Sequence, residues 1–241
     1  MFNNSKYGNL LTVILIVAII AIIGIVILIG YRIYKAYYID TGATDAATKF
    51  EEVVQQEQNN INNNVVVDNN TITNNTVEQG NKVDISNGIQ STNTSSGGTS
   101  SSQTTNKTKY KGFDVIGTIQ IPAIELKYPI LEQLTKKSLE TSVVLMYTAK
   151  GLNCEGNSVI IGHNYRNGTM FSNVKKLTNG DYIYITDTSG NKVKYTVYSI
   201  YRTSGNDSEY MTKNTNGKRE IALSTCTDDS KARTIVLAKE D

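Results

Sequence analysis

The feature that most constrains this chain is an apolar run near its N-terminus. Leu10 to Ile29 contains no charged side chain, and Tyr31-Arg32-Ile33-Tyr34-Lys35 follows it directly. Twenty apolar residues in a helix are enough to cross the hydrocarbon core of a bilayer. A cleaved signal peptide is the alternative, but its apolar region is usually shorter and ends at a small-residue cleavage site. Aromatic and basic residues after the run are typical of a membrane interface. We therefore predict an uncleaved transmembrane helix over residues 10–30, after a short N-terminal segment, residues 1–9.

A juxtamembrane segment and a polar linker are predicted over residues 31–109. Ala43 to Gln58 has the pattern of a short helix above the membrane, and the chain then becomes rich in Asn, Ser, Thr and Gln. Large apolar residues are too sparse over residues 41–109 to bury a core, so we expect this part to be disordered. A flexible coil of that length reaches about 45–50 Å and would hold a domain away from the membrane.

From Tyr110 the sequence changes to short β-prone segments, which predict a single domain over residues 110–241. About eight strands with little helix fit a closed or nearly closed β-barrel. A short surface helix is expected within residues 131–140, and one or two helical turns within residues 170–177. The net charge of +2 gives no sign of a nucleic-acid surface. The predicted strands are Val115 to Ile121, Leu126 to Ile130, Asn157 to Gly162, Asp181 to Asp187, Lys192 to Thr203, Glu220 to Cys226 and Ala232 to Ala238.

Three reactive side chains stand at the ends of these predicted strands. Cys226 follows an apolar strand, Arg233 begins the next one after a short polar turn, and His163 follows a third. A cysteine nucleophile needs a proton-transfer partner, which is most often histidine. Arginine cannot act as a base, but it can donate hydrogen bonds to a developing oxyanion. Because a tight loop between antiparallel strands would return Arg233 beside Cys226, the pattern indicates acyl-transfer chemistry at a thiol.

These motifs resemble the sortases, the cysteine transpeptidases of Gram-positive cell surfaces. The resemblance covers residues 110–241 and implies a sortase-like closed eight-stranded β-barrel with short helices. It implies Cys226 as nucleophile, His163 as general acid and base, and Arg233 as the residue that stabilises the oxyanion. We also expect Ser224, Thr225 and Asn164 to contact the substrate. The motifs are Leu223-Ser224-Thr225-Cys226 followed by Arg233, Gly162-His163 upstream, Gly117-Thr118-Ile119-Gln120-Ile121-Pro122, and Met170-Phe171 after the histidine.

Within the family, the segments around His163 and Cys226 look closest to class B. Class B members typically carry a long helical insertion before the cysteine strand, whereas Thr203 to Arg219 is only seventeen residues here. The resemblance implies cleavage of a sorting signal similar to Leu-Pro-x-Thr-Gly and transfer of the acyl group to a cell-wall amine, such as a peptidoglycan precursor. A pilin-polymerising sortase, a cysteine hydrolase and a wall-binding barrel without catalysis stay open.

Several simpler roles for the same residues also stay open. Cys154 is the only other cysteine, so a disulfide with Cys226 is possible, and Arg233 could merely neutralise Asp228 and Asp229. One histidine and two separated cysteines make no zinc pattern, so no cofactor is predicted. Some sortases use calcium, and the acidic residues available in loops, Glu125, Asp207 and Glu209, have no ligand spacing to support such a site.

The orientation of the predicted membrane helix does not follow from charge. Lys6 and the terminal amine precede the run, whereas Arg32 and Lys35 follow it, so the positive-inside rule gives no firm answer. The resemblance and the linker place the C-terminal domain outside the cell, with the protein in the cell membrane as a single-pass enzyme.

Overall fold

A computed structural model describes residues 4–68 and 108–241. The chain begins with one long helix, α1 (Asn4–Asp68), of 65 residues. By length and composition alone, the apolar part of α1 is sufficient to cross a membrane.

The N-terminal helix extends into the part of the chain that was expected to be disordered. The predicted short helix over Ala43 to Gln58 lies within α1, and residues 41–68 are helical throughout. The physical reason is a narrow apolar face: Ala43, Ala47, Phe50 and Val54 recur at helical spacing and are buried. This face packs against the C-terminal domain, chiefly on two of its strands. The rest of the predicted linker, residues 69–107, lies outside the described residues.

Residues 108–241 form nine strands, and eight of them close into a barrel. The order around the barrel is β2-β3-β4-β5-β8-β9-β7-β6, and pairing of β2 with β6 closes it. This confirms the predicted eight-stranded barrel. The remaining strand, β1, has only two residues and pairs with one edge of β2. The strands are β1 (Lys109–Tyr110), β2 (Phe113–Ile121), β3 (Leu126–Leu131), β4 (Val143–Thr148), β5 (Gly156–Ile161), β6 (Tyr182–Asp187), β7 (Lys192–Ser204), β8 (Arg219–Cys226) and β9 (Ala232–Glu240).

Short helices connect the strands at three places. Helix α2 (Lys136–Thr141) begins with a capping box between Thr135 and Ser138, which fixes its first turn. Residues 131–135 are not helical, so the predicted surface helix is shorter than expected. The predicted turns after Met170 are a 3-10 helix, Phe171–Lys176, and a second 3-10 helix spans Pro122–Ile124.

Two parallel pairings decide where the reactive residues meet. Strand β3 pairs with β4 in parallel, and β5 pairs with β8 in parallel. Parallel neighbours end at the same edge of a sheet, so the residues after β5 and the last residues of β8 share one end of the barrel. Strand β9 runs antiparallel to β8, and its first residues therefore lie at that same end.

The N-terminal helix is held to the barrel by packing and by a polar cluster. Phe50 and Val54 belong to the same apolar core as the interior of the barrel. Glu51 pairs with Lys127 of β3 at 3.0 Å and accepts a hydrogen bond of 2.7 Å from Thr118 of β2. Burial alone would raise the pKa of Glu51, but the bonds from Thr118 and Lys127 and the charge of Lys127 lower it overall. Glu51 is therefore ionised at neutral pH, and the pair joins helix to barrel.

Candidate active site

Cys226 and Arg233 face each other across the β8–β9 pair. They are register partners, and Nη1 of Arg233 lies 4.0 Å from Sγ of Cys226. The five-residue loop between β8 and β9, residues 227–231, is tight, because Thr227 N donates to Ala232 O at 2.9 Å and Ser230 adopts a left-handed conformation with φ 59°. The loop returns the guanidinium beside the thiol, as the sequence pattern predicted.

His163 reaches the same place from β5. Ile161 pairs with Ser224 in the parallel register, and continuing that register by two residues places His163 level with Cys226. Two bonds extend this register beyond the ladder: Gly162 N donates to Ser224 O at 3.3 Å, and Thr225 Oγ1 donates to Gly162 O at 2.7 Å. The structure therefore brings all three predicted reactive residues to one end of the barrel.

Gly162 is required by close packing just before the histidine. A Cβ at this position would lie 2.9 Å from the ring of Phe171, and 3.0 Å from Val143. Because those side chains belong to the buried core, a larger residue would push the backbone before His163 out of place.

The imidazole of His163 lies partly buried against an aromatic ring. Its centroid is 4.9 Å from that of Tyr165, and the two rings are tilted by 38°. Burial lowers the pKa of His163 below its usual range, and the negative charge of Glu140 opposes this by raising it. The balance favours a neutral imidazole at neutral pH, so this histidine releases a proton readily once it has accepted one. Sequence reasoning did not identify Glu140, since nothing local connects it with His163.

Asn164 connects the two loops of the site, and its contact with the substrate stays a prediction. Its Nδ2 donates to Cys226 O at 3.0 Å and to Asp228 Oδ1 at 2.9 Å, while its Oδ1 accepts from Arg166 N at 3.1 Å. The amide thus links the loop after His163 to the loop after Cys226. These bonds are made within the protein, so the role they support is alignment of the two loops.

Ser224 and Thr225 also act within the protein. Their exposed fractions are 1% and 2%. Tyr210 OH lies 3.3 Å from Ser224 Oγ, and the hydroxyl of Thr225 is bonded to Gly162. Both hydroxyls are buried and bonded within the protein, where they fix β8 against its neighbours, and contact of Ser224 and Thr225 with the substrate stays a prediction.

The carboxylates near Arg233 have other partners. Asp228 pairs with Lys175 and accepts from Asn164, and both contacts lower its pKa. Asp229 accepts from Thr227 Oγ1 and lies 3.7 Å from Arg202 Nη2. Within residues 4–68 and 108–241, no carboxylate forms an ion pair with Arg233, whose Nε instead points to Gly205 O at 3.5 Å. The alternative that Arg233 only balances these two aspartates is not supported.

Cys154 lies at the other end of β5. Both cysteines are free thiols, and Cys154 is exposed. The six residues of β5 separate Cys154 from His163, a distance of about 20 Å along the strand. A disulfide between Cys154 and Cys226 does not fit this fold.

A cleft of about 630 Å³ opens beside the Cys226 loop. Phe171 and Ile200 form apolar parts of its wall, and Asp228 forms part of its rim. In the described part of the chain, no three His, Cys, Asp or Glu side chains come together as a metal site.

Comparison with known proteins identifies the family. The family model of the sortase domain matches residues 119–241, about half of the chain. The chain belongs to the sortase family. It is 33% identical over 113 residues to a sortase A of Bacillus anthracis, covering 46% of this chain and 52% of that protein. It is 29% identical over 140 residues to a sortase A of Streptococcus agalactiae, covering 56% of each.

The sortase relatives extend the comparison but leave the class of this chain a prediction. The chain spans about half the length of the curated relatives it matches. A solved sortase D5 transpeptidase of Clostridium perfringens is 31% identical with a TM-score of 0.49, covering 53% of this chain and 79% of that one. The other solved sortases of comparable likeness include a sortase A and several of class C.

Proposed function

We propose that this protein is a membrane-anchored cysteine transpeptidase that acts on surface proteins. The observation that carries the proposal is the meeting of Cys226, His163 and Arg233 at one end of the barrel, with Arg233 Nη1 4.0 Å from the thiol. Membership of the sortase family supports transpeptidation as the reaction class. The roles of the three residues are assigned from their chemistry and positions.

The first half of the reaction forms a thioester. The proton of the Cys226 thiol passes to the neutral imidazole of His163, and the thiolate then attacks the carbonyl carbon of the scissile peptide bond while Arg233 donates hydrogen bonds to the oxyanion. The C–N bond then breaks, and the leaving amine takes a proton from the imidazolium of His163. The products are a thioacyl-enzyme, a neutral His163 and a free amine.

The second half transfers the acyl group. An incoming amine attacks the thioester carbonyl and gives its proton to His163. The C–S bond breaks, and the proton then passes from His163 to the thiolate of Cys226, which restores the thiol and the neutral imidazole. The lowered pKa of His163 suits it to accept and release this proton within one turnover.

The substrate and acceptor are proposed from the resemblance. A sorting signal similar to Leu-Pro-x-Thr-Gly would supply the acyl group, and an amine of the cell wall, such as a peptidoglycan precursor, would accept it. The proposed organisation is a short cytoplasmic segment, a membrane helix over residues 10–30 and an external catalytic barrel over residues 110–241. The apolar part of α1 supports the anchor by its length and composition.

Incubation of the full chain with a sorting-peptide library tests the proposal. Each reaction is run with and without a primary amine, and products are identified by mass spectrometry. A transpeptidase gives the amine adduct when the amine is present, whereas a hydrolase gives the free acid in both cases. Cys226→Ala must form neither product. An unmodified library with the parent enzyme, or product formation by Cys226→Ala, would overturn the proposed function.

A further inference from the structure

A buried tyrosine connects the N-terminal helix with the loop that carries His163. Tyr128 lies on β3 and is 1% exposed. Its hydroxyl donates to Asp40 Oδ1 of α1 at 2.8 Å and accepts from Met170 N at 3.1 Å. One oxygen atom is thus shared between the helix and the base of the active-site loop.

Met170 closes that loop. It forms an isolated bridge with Asn164, and the next residue, Phe171, donates its N–H to His163 O at 3.1 Å. Asn164 in turn binds the carbonyl of Cys226. The position of Met170 therefore bears on both the histidine and the cysteine through short, direct bonds.

The backbone at Met170 adopts a conformation that needs support. Its φ of 49° and ψ of −128° are unusual for a residue with a side chain, and Met170 is fully buried. A buried N–H without a partner is costly, and Tyr128 OH supplies the partner. Removal of this hydroxyl would leave the N–H of Met170 unpaired and the loop free to relax.

Asp40 completes the arrangement from the helix side. A hydroxyl has one proton, so donation to Asp40 leaves the lone pairs of Tyr128 to accept from Met170. Burial raises the pKa of Tyr128, which keeps that proton in place at neutral pH. The helix is held independently three turns further on by the Glu51–Lys127 pair.

We propose that Tyr128 and Asp40 are positioning residues, through which the docking of α1 fixes the His163–Asn164 segment for catalysis. On this view α1 is part of the scaffold of the active site as well as an anchor. The proposal rests on the proposed transpeptidase function, but it assigns to the helix a role in the chemical step.

Three variants of the full chain, purified in detergent micelles, test this role. Tyr128→Phe keeps the ring and removes the hydroxyl; Asp40→Ala removes the acceptor; and Asp40→Asn keeps an acceptor oxygen. Lys127→Met is the matched control, because it weakens the same helix–barrel interface without touching Met170. Peptide turnover with an amine, thermal unfolding and amide exchange of Met170 and Phe171 are measured for each.

The expected results separate positioning from stability. Tyr128→Phe should lower kcat by about tenfold with KM within about twofold, since small misplacement of a catalytic group can cost up to about 100-fold. Its amide exchange at Met170 should be faster. Asp40→Ala should also lower kcat and speed amide exchange at Met170, and Asp40→Asn should recover most of the parental kcat. Lys127→Met should unfold at a lower temperature yet retain kcat.

Results that differ from these expectations would contradict either the positioning role or the proposed function. If Tyr128→Phe and Asp40→Ala both keep the parental kcat and exchange rates, the positioning role is wrong. If Lys127→Met loses as much kcat as Tyr128→Phe, general loosening of the helix explains the effect and the role is again wrong. Should Tyr128→Phe fail to fold, the Asp40→Ala and Asp40→Asn pair decides the question. Parental activity in Cys226→Ala would instead overturn the underlying function.

Discussion

Replacement of Arg233 tests the proposed oxyanion donor most directly. The guanidinium lies 4.0 Å from Sγ of Cys226, and the oxyanion would be the oxygen attached to the carbon that bonds to that sulfur. A donor at this distance reaches the oxyanion at about 2.7–3.1 Å with a small rotation of the side chain. In the free protein its other described contact is the weak one to Gly205 O, so its hydrogen bonds are available for the transition state.

The expected loss follows from that geometry. Removal of one oxyanion donor costs about 10²–10³-fold in turnover, or about 2.7–4 kcal/mol of transition-state stabilisation. Arg233→Ala and Arg233→Lys should both show a loss of this order, because lysine presents a single point charge at a different reach rather than a planar fork. Arg219→Lys is the matched control: Arg219 begins the same β8 strand at its far end and pairs with Glu240 at 2.7 Å. The turnover of Arg219→Lys should stay within about twofold of the parent.

The assay follows cleavage of a sorting peptide with an amine acceptor, after the peptide is identified in the library experiment. Alkylation of Cys226 by iodoacetamide is measured in parallel and should be little changed, since the thiol is intact in both variants. The thermal unfolding temperature of each variant checks that the fold around the start of β9 is preserved. An Arg233→Ala enzyme that turns over within a fewfold of the parent would refute the oxyanion role.

Three further predictions concern the histidine and the cysteines. Because burial lowers the pKa of His163 and the charge of Glu140 raises it, Glu140→Gln should lower that pKa further; His163 is the only histidine, so its NMR titration is unambiguous, and a rise would contradict the electrostatics. Cys154→Ala should keep most activity, since β5 separates Cys154 from Cys226, and its inactivation in a folded state would overturn the choice of nucleophile. In a Cys226→Ala background, the exposed Cys154 should react with a membrane-impermeant maleimide on intact protoplasts; labelling only after lysis would mean that the barrel is inside.

The strands and the reactive residues could be predicted because their signals are local. Strands β5, β8 and β9 are short apolar runs, and each presents its reactive residue at or next to its end. Strand β4 was missed, since Val143 to Met146 is apolar without alternation and follows directly on a helix. Apolar runs of this length do not distinguish a buried strand from other buried segments.

The contacts that align the site could not be predicted. Asn164 and Asp228 are separated by 64 residues, and the loops that bring them to 2.9 Å have no periodic pattern. Tyr128 and Asp40 are 88 residues apart. Such pairs depend on the closure of the barrel and on where α1 docks, and both are tertiary properties. The sequence therefore predicted which reactive side chains meet at one end of the barrel but not which residues hold them in place.

The docked helix also changes how the barrel relates to the proposed membrane. The pattern of Ala43 to Gln58 predicted a short helix, but composition averaged over residues 41–109 favoured a flexible spacer and did not show that the apolar face around Phe50 docks on the barrel. Helix α1 is continuous from the apolar run to Asp40, which contacts Tyr128 of the barrel. The distance between the end of the apolar run and the barrel is therefore set by the helix rise, and from Ile29 to Asp40 it is about 17 Å. Loop residues 165–169 and Arg32 of the helix line one cleft, so the loop after His163 lies beside the first helical turns beyond the apolar run. The segment over residues 69–107 then joins two elements already in contact, and its length does not set the distance from the membrane to the active site.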